Sequence, residues 1–203
     1  MLEANKFSVI NMRRYLNSDN PKLGESRLLQ VLSNFSCPKN PDIERFLKKS
    51  SIEFTKKNQS VTYLVFEVSS MEFVGYFTIA LKPLTVRGET VSNTVKKKLL
   101  RVSEFDEQSQ TYTMSAYLIA QLGKNFQNGA EKKITGEELL ELAWDVIEKI
   151  QYMCGGMVTF LEAENSEELL SFYKENRFQI FDTRQTSTNW EEQHELVQLL
   201  RLL

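Results

Sequence analysis

Ile119-Ala120-Gln121-Leu122-Gly123-Lys124-Asn125, a polar stretch holding Gly129, then Ile134-Thr135-Gly136-Glu137-Glu138-Leu139-Leu140: this passage decides how the chain reads. Its first part ends a strand-like run that begins at Thr111. Its last part opens a helix, because Leu139, Leu140, Leu142, Ala143, Val146, Ile147 and Ile150 recur at helical spacing. Thr135 and Glu138 have the spacing of a capping box and mark the first turn. Gly155-Gly156 marks the end, as glycines in left-handed backbone do. A strand end that leads into a helix start gathers unpaired N–H groups and the positive end of a helix dipole. Such a place suits an anion like pyrophosphate. Lys132 and Lys133 precede the helix start and add positive charge.

Downstream, residues 157–162 read as a short buried strand, residues 167–176 as a helix capped by Asn165 and Ser166, and residues 179–183 as another strand. In the tail, 194–203, Leu196, Leu199, Leu200 and Leu203 fit a helix, whereas the position suits a final strand. As a final strand, it would leave a sheet edge open to a second copy. Upstream, residues 61–68 and 73–81 are strands around a turn, apolar on both faces, so the sheet is covered on both sides. Residues 26–35 and 42–57 are amphipathic helices separated by Pro38 and Pro41, and residues 6–15 an opening strand. Residues 85–110 read as a polar, irregular insertion, with Lys96-Lys97-Lys98-Leu99-Leu100 either a short helix or an exposed loop. The order implies one α/β or α+β domain over 1–203 with a mixed sheet.

Composition sets the limits. The chain has 203 residues, 41% apolar and 26% charged, with net charge −2, which is ordinary for a domain that builds its own core. A pI near 5.7 argues against general polyanion binding. Cys37 and Cys154 form no Cys-x-x-Cys pair, and His194 is the only histidine, so a Cys/His zinc site is excluded. No apolar run approaches a membrane span and no leader is visible, so the expected compartment is cytoplasmic, with no membrane partner. Neither cysteine has a histidine placed to activate it.

The opening passage resembles the acyl-CoA-binding strand and helix of the GNAT acetyltransferases. Leu161-Glu162-Ala163-Glu164-Asn165 with Leu170-Ser171-Phe172-Tyr173-Lys174-Glu175-Asn176-Arg177-Phe178 is similar to the family's Asn-containing strand end and its Phe-Tyr-x-x-x-Gly-Phe helix end. Phe73-Val74-Gly75-Tyr76-Phe77 looks like the family's third strand. Phe35-Ser36-Cys37 through Phe46-Leu47 looks like the two N-terminal helices of its toxin-like members. The resemblance covers most of the chain outside 85–110. Two departures stand out. The family's Arg/Gln-x-x-Gly-x-Gly/Ala loop becomes Glu131-Lys132-Lys133-Ile134-Thr135-Gly136, in which Gly136 alone keeps its place, and Arg177 replaces a glycine that serves a positive-φ turn.

The resemblance implies a GNAT-like α/β (α+β) fold: a mixed, mostly antiparallel central sheet with helices on both faces. It implies transfer of acetyl from acetyl-CoA, without metal, to a primary amine of a small molecule, a protein or an aminoacyl-tRNA. Leu122, Gly123 and Lys124 would pair with the pantetheine arm. Lys132, Lys133, Ile134, Thr135, Gly136 and Glu137 would hold the pyrophosphate, and Asn165 would lie beside the cofactor. Tyr173 would protonate the leaving thiolate as general acid. Glu162, or water passed along backbone carbonyls, would receive the amine's proton, and a backbone N–H would meet the oxyanion. Other readings stand beside this one. Tyr173 is a packing residue on an amphipathic helix, Lys132-Lys133 a solvated loop, and the chain a catalytically inactive GNAT-like binding or regulatory module, favoured by the altered loop and by Arg177. In a further reading, 85–110 is a partner interface and Lys96-Lys97-Lys98 an RNA contact. The acidic balance weighs against tRNA, and a homodimer is one assembly the tail edge would allow.

Overall fold

Residues 73–80, which hold Thr78 as their one polar side chain, cannot present a wet face, and all of them are buried. They form the centre of the sheet in a computed structural model that describes residues 5–17, 23–185 and 195–203. The chain divides into two compact units, Met1–Ala80 with Ile119–Ile147 and Leu81–Leu118 with Glu148–Leu203. The long strands β3 (Glu72–Arg87) and β5 (Thr111–Lys124) contribute to both.

In the first unit, β1 (Phe7–Asn11) pairs antiparallel with β2 (Val61–Glu67), Phe7 opposite Glu67. β2 pairs antiparallel with β3, Val61 opposite Ile79, with an irregularity between Val65 and Phe66. Four helices precede β2: α1 (Arg13–Leu16), α2 (Glu25–Ser33), α3 (Pro41–Lys49) and α4 (Ser51–Lys56). Asn40 starts α3 by accepting the N–H groups of Asp42 and Ile43, with Pro41 in the first turn, where its missing N–H costs nothing. The second amphipathic stretch therefore folds as two helices that divide at Ser50, and the opening stretch as a shorter strand followed by α1.

Leu28, Leu32, Phe35, Leu47, Ile52, Leu64, Phe66, Phe73 and Tyr76 form this unit's core. Alternation along β3 sends Tyr76 and Gly75 to opposite faces. Tyr76 Oη donates to the Ile43 carbonyl of α3 at 2.6 Å. A Cβ on Gly75 would instead lie 3.3 Å from Leu139 of α6 (Gly136–Cys154). Helices thus cover both faces of this part of the sheet.

Gly123 marks a close approach. A Cβ there would lie 2.4 Å from Ile43 Cγ2, 3.4 Å from Tyr76 and 3.5 Å from Phe35. Gly123→Ala is expected to destabilise the protein by about 1–3 kcal/mol, as overpacking of a filled core does. Urea unfolding measures this; a wild-type midpoint would show that Ile43 moves aside without cost.

The second unit holds α5 (Asn93–Leu99), β4 (Glu104–Asp106), β6 (Val158–Glu164), α7 (Glu167–Glu175), β7 (Gln179–Gln185) and β8 (Glu195–Leu202). Leu84, Val86, Val95, Leu99, Tyr112, Met114, Val158, Phe160, Phe181 and Leu200 are its core. The expected irregular insertion at 85–110 is corrected here. β3 continues through Pro83, with Leu84 and Val86 alternating inward. Ser92 then caps α5 by accepting the Val95 N–H at 3.3 Å, and β4 pairs antiparallel with β5.

The tail is the strand β8, and the expected open edge is corrected too. β8 pairs antiparallel with β6 on one side and with β7 on the other, so its backbone is taken up and offers nothing to a second copy. Its leucines mimic a helical stripe because a strand between two others buries both faces. The hydrogen-bonded strand order is β1-β2-β3-β5-β6-β8-β7, with β5 parallel to β6 at Tyr117–Thr159 and Leu118–Phe160. The mixed, mostly antiparallel sheet is the one the sequence implies. His194 lies outside the described residues.

Candidate active site

Local chemistry builds the helix start in the first unit as the spacing implies. The Thr135 N–H donates to Glu138 Oε2 at 2.7 Å, and the Glu138 N–H donates to Thr135 Oγ1 at 3.0 Å, closing the capping box. Lys6 Nζ lies 2.7 Å from Glu138 Oε1. Partial burial pulls the Glu138 carboxyl upward, but Lys6 and the Thr135 amide outweigh it and hold it below its ordinary value. The Lys133 N–H donates to the Ala130 carbonyl at 3.1 Å. The amides of Ile134, Gly136 and Glu137 find no acceptor among the described residues. Those of Gly136 and Glu137 are orphan donors of a helix start, at the positive end of the dipole, whereas Ile134 precedes the cap and is buried.

The preceding strand β5 continues in this unit from Ile119 to Lys124. Asn125 then fixes the strand end. Its Oδ1 accepts the N–H groups of Ser36 (2.9 Å) and Gln127 (3.0 Å), and its Nδ2 donates to the carbonyls of Asn34 and Phe73 (2.8 Å each). Sequence reasoning quoted Asn125 without giving it this role. After it, Asn128 (φ 54°) and Gly129 (φ 81°) turn the chain toward α6.

The two lysines before the helix differ. Lys132 is exposed, with no ion pair among the described residues. Lys133 Nζ lies 2.6 Å from Glu72 Oε2, 2.9 Å from Glu67 Oε2 and 2.9 Å from Ser70 Oγ. Three acceptors thus face the three hydrogens of its ammonium group. Sequence reasoning missed Glu67, Glu72 and Lys6, since contacts between distant residues leave no local pattern.

In the second unit, α7 carries the expected tyrosine. Ser166 caps the helix by accepting the Leu169 N–H at 3.2 Å. Asn165, expected to share the capping, is exposed and lies one residue too early. At the other end Arg177 takes φ 68°, with its N–H donating to Lys174 O and the Phe178 N–H to Tyr173 O. The left-handed turn for which the family uses glycine is thus made by an arginine, at a cost of about 1–2 kcal/mol.

Tyr173 is half-buried, edge-on to Phe172 (centroids 5.0 Å apart) and to Phe178 (5.8 Å). Desolvation pushes its hydroxyl up to about 12. That hydroxyl makes no hydrogen bond to any described residue, unlike those of Tyr76, bound to Ile43, and of Tyr117, bound to the Gly155 carbonyl. Glu162, the expected proton acceptor, receives Gln198 Nε2 at 2.8 Å and Arg184 Nη1 at 3.2 Å. Both donors meet the same oxygen, Oε1. Cys37 is buried, which pushes its thiol upward, and the Cys154 thiol donates to the Ile150 carbonyl. No cluster that could hold a metal ion occurs among the described residues, and no helix among them is long and apolar enough to cross a membrane.

No family model and no curated protein matches the chain. Solved structures do. A tyrosine-to-phenylalanine mutant of KacT is 16% identical, with a TM-score of 0.62, over 97% of this chain and 95% of that one. AtaT complexed with acetyl-methionyl-tRNAfMet is 14% identical, with a TM-score of 0.59, over 94% and 93%. A tyrosine-to-phenylalanine mutant of the AtaT toxin, bound to the C-terminus of the antitoxin AtaR and acetyl-CoA, is 12% identical, with a TM-score of 0.59, over 98% and 94%. Such identities carry the fold and not the chemistry. The chain has the fold of the GNAT acetyltransferase toxins.

Proposed function

We propose that the chain is an acetyl-CoA-dependent N-acetyltransferase. The observation that carries this reading is the helix start that follows β5 and Asn125, where the amides of Gly136 and Glu137 have no acceptor among the described residues. Leu122, Gly123 and Lys124 offer the pantetheine amides an added-strand pairing. The amides of Gly136 and Glu137 offer the pyrophosphate a cradle that needs no glycine-rich loop.

Tyr173 supplies the proton donor. At about 12 its hydroxyl stays protonated at neutral pH. Full transfer to a thiolate of ordinary pKa, about 8.5, would run uphill by about 5 kcal/mol. Tyr173 therefore acts by hydrogen-bonding the sulfur as its charge grows. With Glu162 engaged, water accepts the amine's proton.

For the acceptor we favour the α-amine of an aminoacyl-tRNA, because AtaT was solved with an acetylated one and this chain carries unpaired cations of its own. Arg45, Lys48, Lys56 and Lys57 of the N-terminal helices are matched by Asp42, Glu44, Glu25 and Glu53. Lys97, Lys98 and Arg101, on and just after α5, are exposed and have no ion pair among the described residues. They are available to phosphates, as are Lys49 of α3 and Lys132, which are also exposed with no ion pair among the described residues.

Calorimetric titration with acetyl-CoA, followed by thiol release in the presence of total aminoacyl-tRNA or small amines, tests the proposal. Micromolar binding with tRNA-dependent thiol release is expected. Absence of both heat and thermal stabilisation at millimolar acetyl-CoA would overturn it. A second reading, a binding module without turnover, draws on Lys133 being taken up by two carboxylates and on the Glu138 carboxylate at the helix start. Its signature is binding without thiol release for every acceptor.

A further inference from the structure

Four side chains in the first unit form one cluster. Lys133 bonds Glu72, Glu67 and Ser70, and Ser70 Oγ donates to Glu67 Oε2 at 2.5 Å. Glu67 ends β2, Glu72 starts β3, and Ser70 lies in the turn between them. Lys133 lies two residues before the cap Thr135 and one before the first acceptor-free amide, Ile134. The cluster thus fastens the loop before α6 to the β2–β3 hairpin. Glu138, held by Lys6 beside β1, fastens the first turn of the helix on its far side.

The charges in this cluster are wrong for direct anion binding. One ammonium faces two carboxylates, so the group is net negative. Side-chain exposures of 32% for Lys133, 17% for Glu67 and 31% for Glu72 leave the ions only partly hydrated, so the contacts hold their geometry better than a fully exposed pair would. A lysine with its three hydrogens committed has none left for a phosphate.

We propose that Lys133 is a positioning residue: with Glu67, Ser70 and Glu72 it sets the place of the Gly136 and Glu137 amides, which themselves hold the pyrophosphate of acetyl-CoA. This inference rests on the acetyl-CoA reading above. It gives the hairpin turn a role in cofactor affinity.

Two kinds of lysine give opposite signs when the carboxylates are removed. If Lys133 held phosphate itself, Glu72→Ala would release it and tighten binding. As a positioning residue, it needs Glu72. Both Glu72→Ala and Lys133→Ala should then raise the Kd for acetyl-CoA by about tenfold, or about 1.4 kcal/mol. The double variant should be no weaker than either single, because one tie has been cut twice. Lys133→Arg, which can still reach both carboxylates, should restore affinity. The salt dependence of binding should be the same in wild type and Lys133→Ala, since no ammonium–phosphate contact is lost.

The measurement is calorimetry with acetyl-CoA at two ionic strengths, with thermal unfolding of each variant to show that the fold survives. Tighter or unchanged binding in Glu72→Ala, additive losses in the double variant, or a flattened salt dependence in Lys133→Ala would each overturn the inference. Wild-type protein that fails to bind acetyl-CoA would instead overturn the proposed function, so the two failures are distinct.

Discussion

Tyr173→Phe is expected to lower the rate of acetyl transfer about 100- to 10,000-fold, the range for loss of a positioned proton donor, while acetyl-CoA binds as before. Phenylalanine keeps the ring that lies edge-on to Phe172 and Phe178. The hydroxyl it removes has no hydrogen bond to any described residue, so the fold loses nothing with it. Deleting a desolvated, unpartnered polar group is neutral or stabilising. A packing tyrosine and a catalytic one therefore predict different pairs of results. Loss of thiol release at unchanged or raised melting temperature marks catalysis; turnover within a few-fold of wild type would leave Tyr173 as packing.

The same hydroxyl has a predicted pH signature. Burial raises it from the usual 10 to about 12. The folded state thus favours the neutral phenol more than the unfolded chain does. The associated stability is fully present below pH 10 and is lost as pH rises through 12. No limb of the free protein's pH–rate profile below pH 10 should belong to Tyr173. Phenolate absorbance of the wild type minus that of Tyr173→Phe should show one ionisation near 12; an ionisation near 10 would place the ring in water.

What the sequence shows of this fold follows the range of the interactions involved. Thr135 and Glu138 are three residues apart, so the capping box is legible as spacing and appears with both hydrogen bonds. Arg177 is legible in the same way: a helix end that calls for glycine has φ 68° even with arginine in it. The buried centre of β3 could be read because its neighbours on both faces force a run that is apolar but for Thr78, whose hydroxyl pairs with that of Thr62.

Pairing between distant strands left no such mark. β8 lies between β6 and β7, and nothing in its own residues says that both edges are taken. Pro83 hid the continuation of β3, because proline normally ends a central strand, although Leu84 and Val86 already show the two-residue period. The helix start in the first unit and the tyrosine in the second were each visible in the sequence. The partners that decide how each behaves, Glu67 and Glu72 for Lys133 and Gln198 and Arg184 for Glu162, lie far off in the chain.

Gly136→Asp separates the cofactor site from the fold most sharply. Gly136 is the first residue of α6 and is not among the glycines with positive φ, so its backbone accepts a side chain. An aspartate in the first turn of a helix stabilises it by about 0.3–1 kcal/mol through the dipole. The variant should therefore melt at or above the wild-type temperature. A carboxylate about 4 Å from a phosphate, at an effective dielectric constant near 20, is opposed by about 4 kcal/mol, and solvent screening reduces this. We expect acetyl-CoA affinity to fall about 100-fold, or about 3 kcal/mol. Gly136→Asn, similar in size without the charge, should keep most of the affinity. Loss in Asp alone, on an intact fold, would place the pyrophosphate at this helix start. Equal loss in both variants would mean that bulk rather than charge is excluded. Retained binding in Gly136→Asp would move the cofactor away from α6 altogether, and with it the assignment of Leu122, Gly123 and Lys124 to pantetheine.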